Sequence, residues 1–143
     1  MTVSELMSRG AVSVCTEDTV YTAAGLMLRY DLGCLPVLGA DGRLRGVLTD
    51  RDVVLRCVAP GEDPSRTRVK SIMTRRPVGV LPEDDVRAAA EVMARSKVRR
   101  LPVTAKDGAL MGVVSLGDLA RCGTYEMEAS RALTEISGNI RRI

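Results

Sequence analysis

The 143-residue chain contains no histidine, no tryptophan and no phenylalanine, and its aromatic side chains are three tyrosines. Without histidine there is no Ser-His-Asp triad, no Cys-His pair and no histidine-bearing metal site. Without aromatic faces a stacking platform for single-stranded nucleic acid has nothing to stack on. No apolar run approaches the roughly 18 residues that a membrane-spanning helix needs. The opening Met1-Thr2-Val3-Ser4-Glu5-Leu6-Met7 lacks the basic stretch and apolar core of a secretion signal. A soluble, cytoplasmic protein with no membrane partner is the expectation. The cysteines Cys15, Cys34, Cys57 and Cys122 form no C-x-x-C pair. They lie in or beside apolar segments, where a thiol behaves as a small hydrophobe, so a metal cluster is not expected and reduced thiols are favoured over structural disulfides, which stay open.

What is present is aliphatic. Hydrophobic residues make up 45% of the chain, mostly Val, Leu, Ala and Met, enough to supply an ordered core. Twenty-one basic against 18 acidic residues give a net charge of +3. That balance is the ordinary charge of a solvated surface and does not by itself point to nucleic acid.

The dominant feature is a duplication. Sliding the chain by 66 positions aligns residues 3–55 with 69–121 without a gap, and 21 of the 53 aligned positions are identical. Leu35-Pro36-Val37 falls on Leu101-Pro102-Val103, and Asp41-Gly42 falls on Asp107-Gly108. Each unit reads as strand, helix, hairpin, helix. Short β-prone runs at 12–15 and 78–81 open the units. Asp18 and Asp84 are expected to cap helices over 19–30 and 85–96, whose apolar residues recur at three and four positions. Asp-Gly between apolar runs then marks hairpins joining strands 34–38 with 44–49 and 100–104 with 110–115. Further helices start near Asp50 and Leu116. The expected division is repeat 1 at 1–57, a Pro-, Gly- and charge-rich linker at 58–68, repeat 2 at 69–122 and an amphipathic helix at 123–143. The expected apolar positions of that last helix are Tyr125, Met127, Ala132, Leu133, Ile136 and Ile140. The fold class is α/β (an α+β sandwich), with each sheet covered by its twin about a pseudo-twofold axis.

The chemistry sits after each hairpin, where Gly46-Val47-Leu48-Thr49-Asp50-Arg51-Asp52 matches Gly112-Val113-Val114-Ser115-Leu116-Gly117-Asp118. The shared pattern is Gly, two apolar residues, a hydroxyl, two residues and Asp, at a strand-to-helix junction. One reading is a capping box, in which the hydroxyl and the carboxylate satisfy backbone N–H groups reciprocally, although such boxes favour Glu or Gln over Asp. The other is a sugar-phosphate grip. A hydroxyl can contact a phosphate, and a carboxylate one turn on can accept both hydroxyls of a ribose. The pattern occurs twice at equivalent places, and composition alone leaves both readings open.

Taken together, the doubled Met-[Ser/Thr]-Arg opening, the Leu-Pro-Val strand, Asp-Gly and Gly-x-x-[Thr/Ser]-x-x-Asp resemble a pair of cystathionine-β-synthase (CBS) domains, a Bateman module, over residues 1–122. The resemblance implies two repeats packed sheet to sheet, with inter-repeat clefts that bind adenine nucleotides (AMP, ADP or ATP) or S-adenosylmethionine as a regulatory ligand. No obligatory cofactor follows from it. It implies ribose binding by Asp52 with Thr49 in one site and by Asp118 with Ser115 in the other. The base would lie among Val12, Val14, Leu35 and Pro36, or Val78, Val80, Leu101 and Pro102. Lys97-Val98-Arg99-Arg100 resembles the basic stretch that relatives use on phosphate, with Arg121 a further candidate. The first copy has Asp31-Leu32-Gly33-Cys34 and Leu55 there, so phosphate holding is expected mainly from the second repeat. Strand alternation predicts that at most one of Arg99 and Arg100 points into a given cleft.

The module is expected to be a regulatory homodimer that signals to an effector protein of unknown identity. Enzymatic activity is not expected, because no effector domain remains outside the repeats and the last helix. Three other readings stay open. The module is an apo dimerisation scaffold, or a thiol sensor through Cys15 and Cys34, or a nucleic-acid binder through 95–100 with Arg141 and Arg142.

Overall fold

A computed structural model describes residues 1–75 and 77–138. Its elements run in order as α1 (Val3–Leu6), β1 (Val14–Cys15), α2 (Val20–Tyr30), β2 (Cys34–Leu38), β3 (Leu44–Thr49), α3 (Asp50–Val53), α4 (Val69–Ile72), β4 (Thr74–Arg75), α5 (Val86–Ser96), β5 (Arg100–Thr104), β6 (Leu110–Ser115), α6 (Leu116–Arg121) and α7 (Glu126–Ser137). A π-turn over Val54–Val58 continues α3, and a 3-10 turn over Gly123–Tyr125 leads into α7. None of the described helices is long and apolar enough to cross a membrane. The mixed α/β class and the C-terminal helix are as the repeats imply.

The chain divides into two compact bodies that interleave the sequence repeats. One holds residues 11–77 with 108–110; the other holds 1–10, 78–107 and the chain from 111 onward. Each body is thus completed by the opening segment of the other repeat. In the first body the sheet order is β1-β2-β3-β4, with β1 parallel to β2 and the other neighbours antiparallel. The β4 strand comes from the start of repeat 2, pairing Gly46 with Arg75 and Val47 with Thr74. In the second body β5 pairs with β6, flanked by single bridges from Val80 to Val103 and from Ser8 to Val113.

Glycine permits this pairing. A Cβ at Gly46 would sit 2.6 Å from the Thr74 carbonyl oxygen, and one at Gly112 would sit 2.5 Å from that of Ser8. The first residue of the Gly-x-x-[Thr/Ser]-x-x-Asp pattern is glycine because another backbone crosses it.

Two expected helix starts are off by one residue. Thr19 caps α2, accepting from the Thr22 N–H at 3.1 Å, and Asp85 caps α5, accepting from the Arg87 N–H. Asp18 and Asp84 instead accept from the N–H groups of Cys15 and Leu81, holding the turn before each helix. Both helices end on a left-handed residue that is not glycine, Asp31 (φ 54°) and Lys97 (φ 57°). The opening strands are shorter than 12–15 and 78–81: the first is Val14–Cys15, and the second is the Val80 bridge.

Two aliphatic clusters form the cores. Leu35, Val37 and Leu48 pack with Val20 and Met27 in the first body; Leu101, Val103 and Val114 pack with Val86 and Met93 in the second. Tyr125 of the 3-10 turn and Ala129 and Ala132 of α7 join the second cluster, with Ile136 packed against it. Two of the expected core residues of α7 face outward: Met127 is 84% exposed and Leu133 43%. The apolar stripe runs through 125, 129, 132 and 136, a single helix face, and 127 and 133 fall off it. Ile140 lies outside the described residues.

Candidate functional site

Each predicted site falls within one body. Val12, Val14, Leu35, Pro36, Thr49 and Asp52 belong to the first; Val78, Val80, Leu101, Pro102, Ser115, Asp118, Arg99, Arg100 and Arg121 belong to the second. At both strand-to-helix junctions the hydroxyl residue is extended and the next residue turns helical.

The capping box is formed twice, and with aspartate. Thr49 Oγ1 accepts from the Asp52 N–H at 3.0 Å while Asp52 Oδ2 accepts from the Thr49 N–H at 3.0 Å. Ser115 Oγ accepts from the Asp118 N–H at 3.1 Å, and Asp118 Oδ2 accepts from the Ser115 N–H at 2.8 Å. The shorter carboxylate therefore closes the box that was expected to favour Glu or Gln. The box does not exhaust these groups. A hydroxyl that accepts a hydrogen bond still has its own proton to donate, and a carboxylate with one oxygen engaged has a second oxygen to accept with.

The second oxygens have different surroundings. Asp118 Oδ1 meets Arg121 Nη2 at 2.6 Å. Asp52 Oδ1 lies 3.8 Å from Arg56 Nε, and Thr74 Oγ1 donates to Asp52 Oδ2 at 3.3 Å. Arg56 also donates to the carbonyls of Ile72 and Met73. Asp52 is thereby tied to the segment that completes its sheet, and it is buried, at 8% exposure. Thr74 and Arg56 contact Asp52 and were not among the residues the sequence pointed to. Thr74 could have been found from the duplication, since it aligns with Ser8 and both open a repeat.

In the second body, Arg99, Arg100, Ser115 and Arg121 line a single open groove of about 540 Å³. Both Arg99 and Arg100 line it, against the expectation of one at most. The reason is that β5 begins at Arg100, so Arg99 is outside the alternating part of the strand. Neither guanidinium makes a hydrogen bond or ion pair among the described residues. Glu126, Ser130 and Leu133 of α7 also line the groove. The sequence held no signal for them, because α7 has no counterpart in the first repeat.

The first body is different at the equivalent place. A Cβ added at Gly33 would lie 3.1 Å from Asp50 Oδ2, so a carboxylate occupies the space beside position 33. The second repeat has Leu116 and Arg99 at the aligned positions. Elsewhere in the first body a groove of about 720 Å³ includes Arg45 and Lys70, but Asp41 and Glu17 pair with them at 2.8 and 2.9 Å. The Arg43 backbone N–H, with Arg45 and Arg43 nearby, holds the Asp41 carboxyl below its ordinary pKa.

The predicted base-contacting residues divide by exposure. Leu35 and Leu101 are wholly buried in the core clusters and offer no surface to a ligand. Val14, Val80, Pro36 and Pro102 are also buried; Val12 is half-buried and Val78 is 44% exposed.

The parallel register places Cys15 beside Leu38, four residues along β2 from Cys34. At about 3.3 Å per residue that separation is roughly 13 Å, well beyond the roughly 7 Å Cα limit for a disulfide. The two cysteines therefore do not form the neighbouring pair that a thiol switch was expected to use. Among the described residues no three His, Cys, Asp or Glu side chains converge on a metal position. Arg95, part of the proposed nucleic-acid stretch, shares a groove with Glu91, Glu128 and Glu135. Arg141 and Arg142 lie outside the described residues.

The CBS domain model matches residues 3–58 and again 69–124. The CBS domain-containing protein YhcV of Bacillus subtilis is 37% identical over 135 residues, covering 94% of each chain. Among solved structures, Hypoxic Response Protein I with two coordinated zinc ions is similar at 34% identity and TM-score 0.78, covering 85% of this chain and 98% of that one. The CBS domain protein PAE2072 from Pyrobaculum aerophilum, complexed with AMP, is 31% identical with TM-score 0.79, covering 91% of this chain and 98% of that one.

Proposed function

The chain belongs to the CBS-domain family as a tandem pair, and on that premise we propose that it is a regulatory module sensing an adenosine phosphate. The ligand is held in the second body, with the ribose hydroxyls on Asp118 Oδ1 and the phosphate on Arg99 and Arg100. Ser115 donates its hydroxyl proton, and Arg121 stays paired to Asp118 Oδ1, which keeps a further lone pair for the ribose. The observation that carries this reading is the groove lined by Arg99, Arg100, Ser115 and Arg121, in which the guanidiniums of Arg99 and Arg100 have no partner among the described residues. Arginine suits it: the planar fork binds phosphate bidentately and is less hydrated than an ammonium. The AMP complex of PAE2072 adds support from a relative.

In the first body Thr49 and Asp52 offer the same sugar contacts, while Asp50 disfavours a phosphate. That site takes an adenosyl group lacking phosphate, S-adenosylmethionine included, or takes nothing. Ligand binding favours one conformation of the module, and an effector protein reads the difference. Self-association into a homodimer is supported by the apolar surface of the first body, where Leu28 is 86% and Val58 60% exposed. The role is regulatory rather than catalytic.

The test is a thermal-shift series with AMP, ADP, ATP and S-adenosylmethionine on the full chain. A rise in melting temperature with a phosphate-bearing ligand, lost in Arg99→Ala/Arg100→Ala, is the expected outcome. No shift with any of the four overturns the reading in favour of a ligand-free scaffold.

A further inference from the structure

We infer that α7, which follows the second repeat, is part of the ligand site and restricts it to a phosphomonoester. This rests on the adenosine-phosphate reading above and extends it to the residues that select the ligand. The repeat matched by the family ends at residue 124, whereas α7 spans Glu126–Ser137. Its buried face is locked to the second body by Ala129 and Ala132 in the core, by Arg87 paired to Glu128 at 3.4 Å, and by Arg87 over the Tyr125 ring. That anchoring turns Glu126, Ser130 and Leu133 onto the groove that holds Arg99 and Arg100.

The charge of the groove then sets the ligand. Arg121 is neutralised by Asp118 at 2.6 Å. Arg99 and Arg100 are left, and they balance the two negative charges of a phosphomonoester. A triphosphate would bring further negative charge towards the Glu126 carboxylate and the apolar Leu133, with no cation of α7 lining the groove to meet it. Ser130 supplies a hydroxyl donor from α7 to the same groove, suited to a phosphate oxygen. Glu126 is thus a specificity residue acting by repulsion, and Ser130 one acting by attraction.

The experiment is calorimetric titration of the full chain with AMP, ATP and adenosine. Wild type is expected to bind AMP more tightly than ATP or adenosine. Glu126→Gln should strengthen ATP binding by roughly three- to tenfold, the range of one like-charge contact near a surface, and leave AMP within about twofold. Ser130→Ala should weaken AMP by roughly ten- to a hundredfold, one hydrogen bond to a charged acceptor, and leave adenosine unchanged. Both residues are exposed, so unchanged melting temperatures of the free variants check the fold. If Arg99→Ala/Arg100→Ala abolishes AMP binding while Glu126→Gln and Ser130→Ala change nothing, α7 is no part of the site and this inference fails alone. If wild type binds no AMP, both readings fail.

Discussion

Replacing Asp118 separates its bond to the helix from its proposed contact with a ribose. In Asp118→Ala the Ser115 N–H loses its 2.8 Å acceptor and Arg121 loses its partner. Ser115 still caps the helix, so the loss is the single return bond to its N–H, about 1 kcal/mol. The ion pair adds roughly 0.5 kcal/mol, since the Arg121 side chain is 74% exposed and screened by water. A total of about 1–2 kcal/mol lowers the melting temperature by about 3–6 °C in a chain of this size. Asp118→Asn keeps an oxygen in the same position for the Ser115 N–H, so its stability should stay within about 0.5 kcal/mol of wild type. The amide nitrogen that replaces Oδ1 cannot accept a ribose hydroxyl. One charge-assisted hydrogen bond is worth about 1.5–3 kcal/mol, which is roughly ten- to a hundredfold in affinity. The assay pairs urea unfolding with AMP titration on both variants. An asparagine variant that binds AMP like wild type would show that the carboxylate serves the helix alone. One as unstable as alanine would refute the capping geometry.

Three further outcomes follow from single residues. Gly112→Ala places a Cβ 2.5 Å from the Ser8 carbonyl oxygen and 3.0 Å from Met7 Sδ, so a loss of about 1–3 kcal/mol is expected; an unchanged urea midpoint counts against the close crossing. Lys97→Gly relieves a side chain held at φ 57° and should stabilise by about 0.5–1 kcal/mol in the same assay; destabilisation would mean that the lysine side chain is needed. The Asp63 carboxyl is held below its ordinary value of 3.8, first by the Ser65 hydroxyl and then by the Ser65 N–H. Its folded form therefore ionises more readily than its unfolded form. The resulting stability is present above about pH 4 and disappears as pH falls through the lowered value. Ser65→Ala should move the Asp63 titration seen by NMR back upward, and no movement would show that the hydroxyl bond is absent in solution.

Much of the fold was legible because the chain states it twice. The 66-residue period located both hairpins and both α2/α5 helices, and the hairpin strands run at 34–38, 44–49, 100–104 and 110–115 as expected. Local errors came from choosing between adjacent polar residues. Asp18 beside Thr19 and Asp84 beside Asp85 are chemically equivalent cap candidates, and the fold chose the second of each pair. At the site, the pattern named Thr49, Asp52, Ser115 and Asp118, yet whether it meant cap or ligand was undecidable from spacing. The structure shows that the cap is formed and that one carboxylate oxygen is left over for other partners.

Sequence alone determined the repeat, the aliphatic nature of the core and the basic character of 97–100. These are local or periodic properties, and any segment carries them without reference to its neighbours. Tertiary structure decided what no segment could specify: that Thr74 reaches Asp52 and that the backbone of Ser8 crosses Gly112. It also decided that α7 walls the arginine groove. Each of these joins residues distant along the chain, and such contacts follow from which faces must be buried together. With no histidine and few aromatics, the polar groups left to the pattern are arginine, hydroxyl and carboxylate, and the fold gathers Arg99, Arg100, Ser115 and Arg121 on one groove.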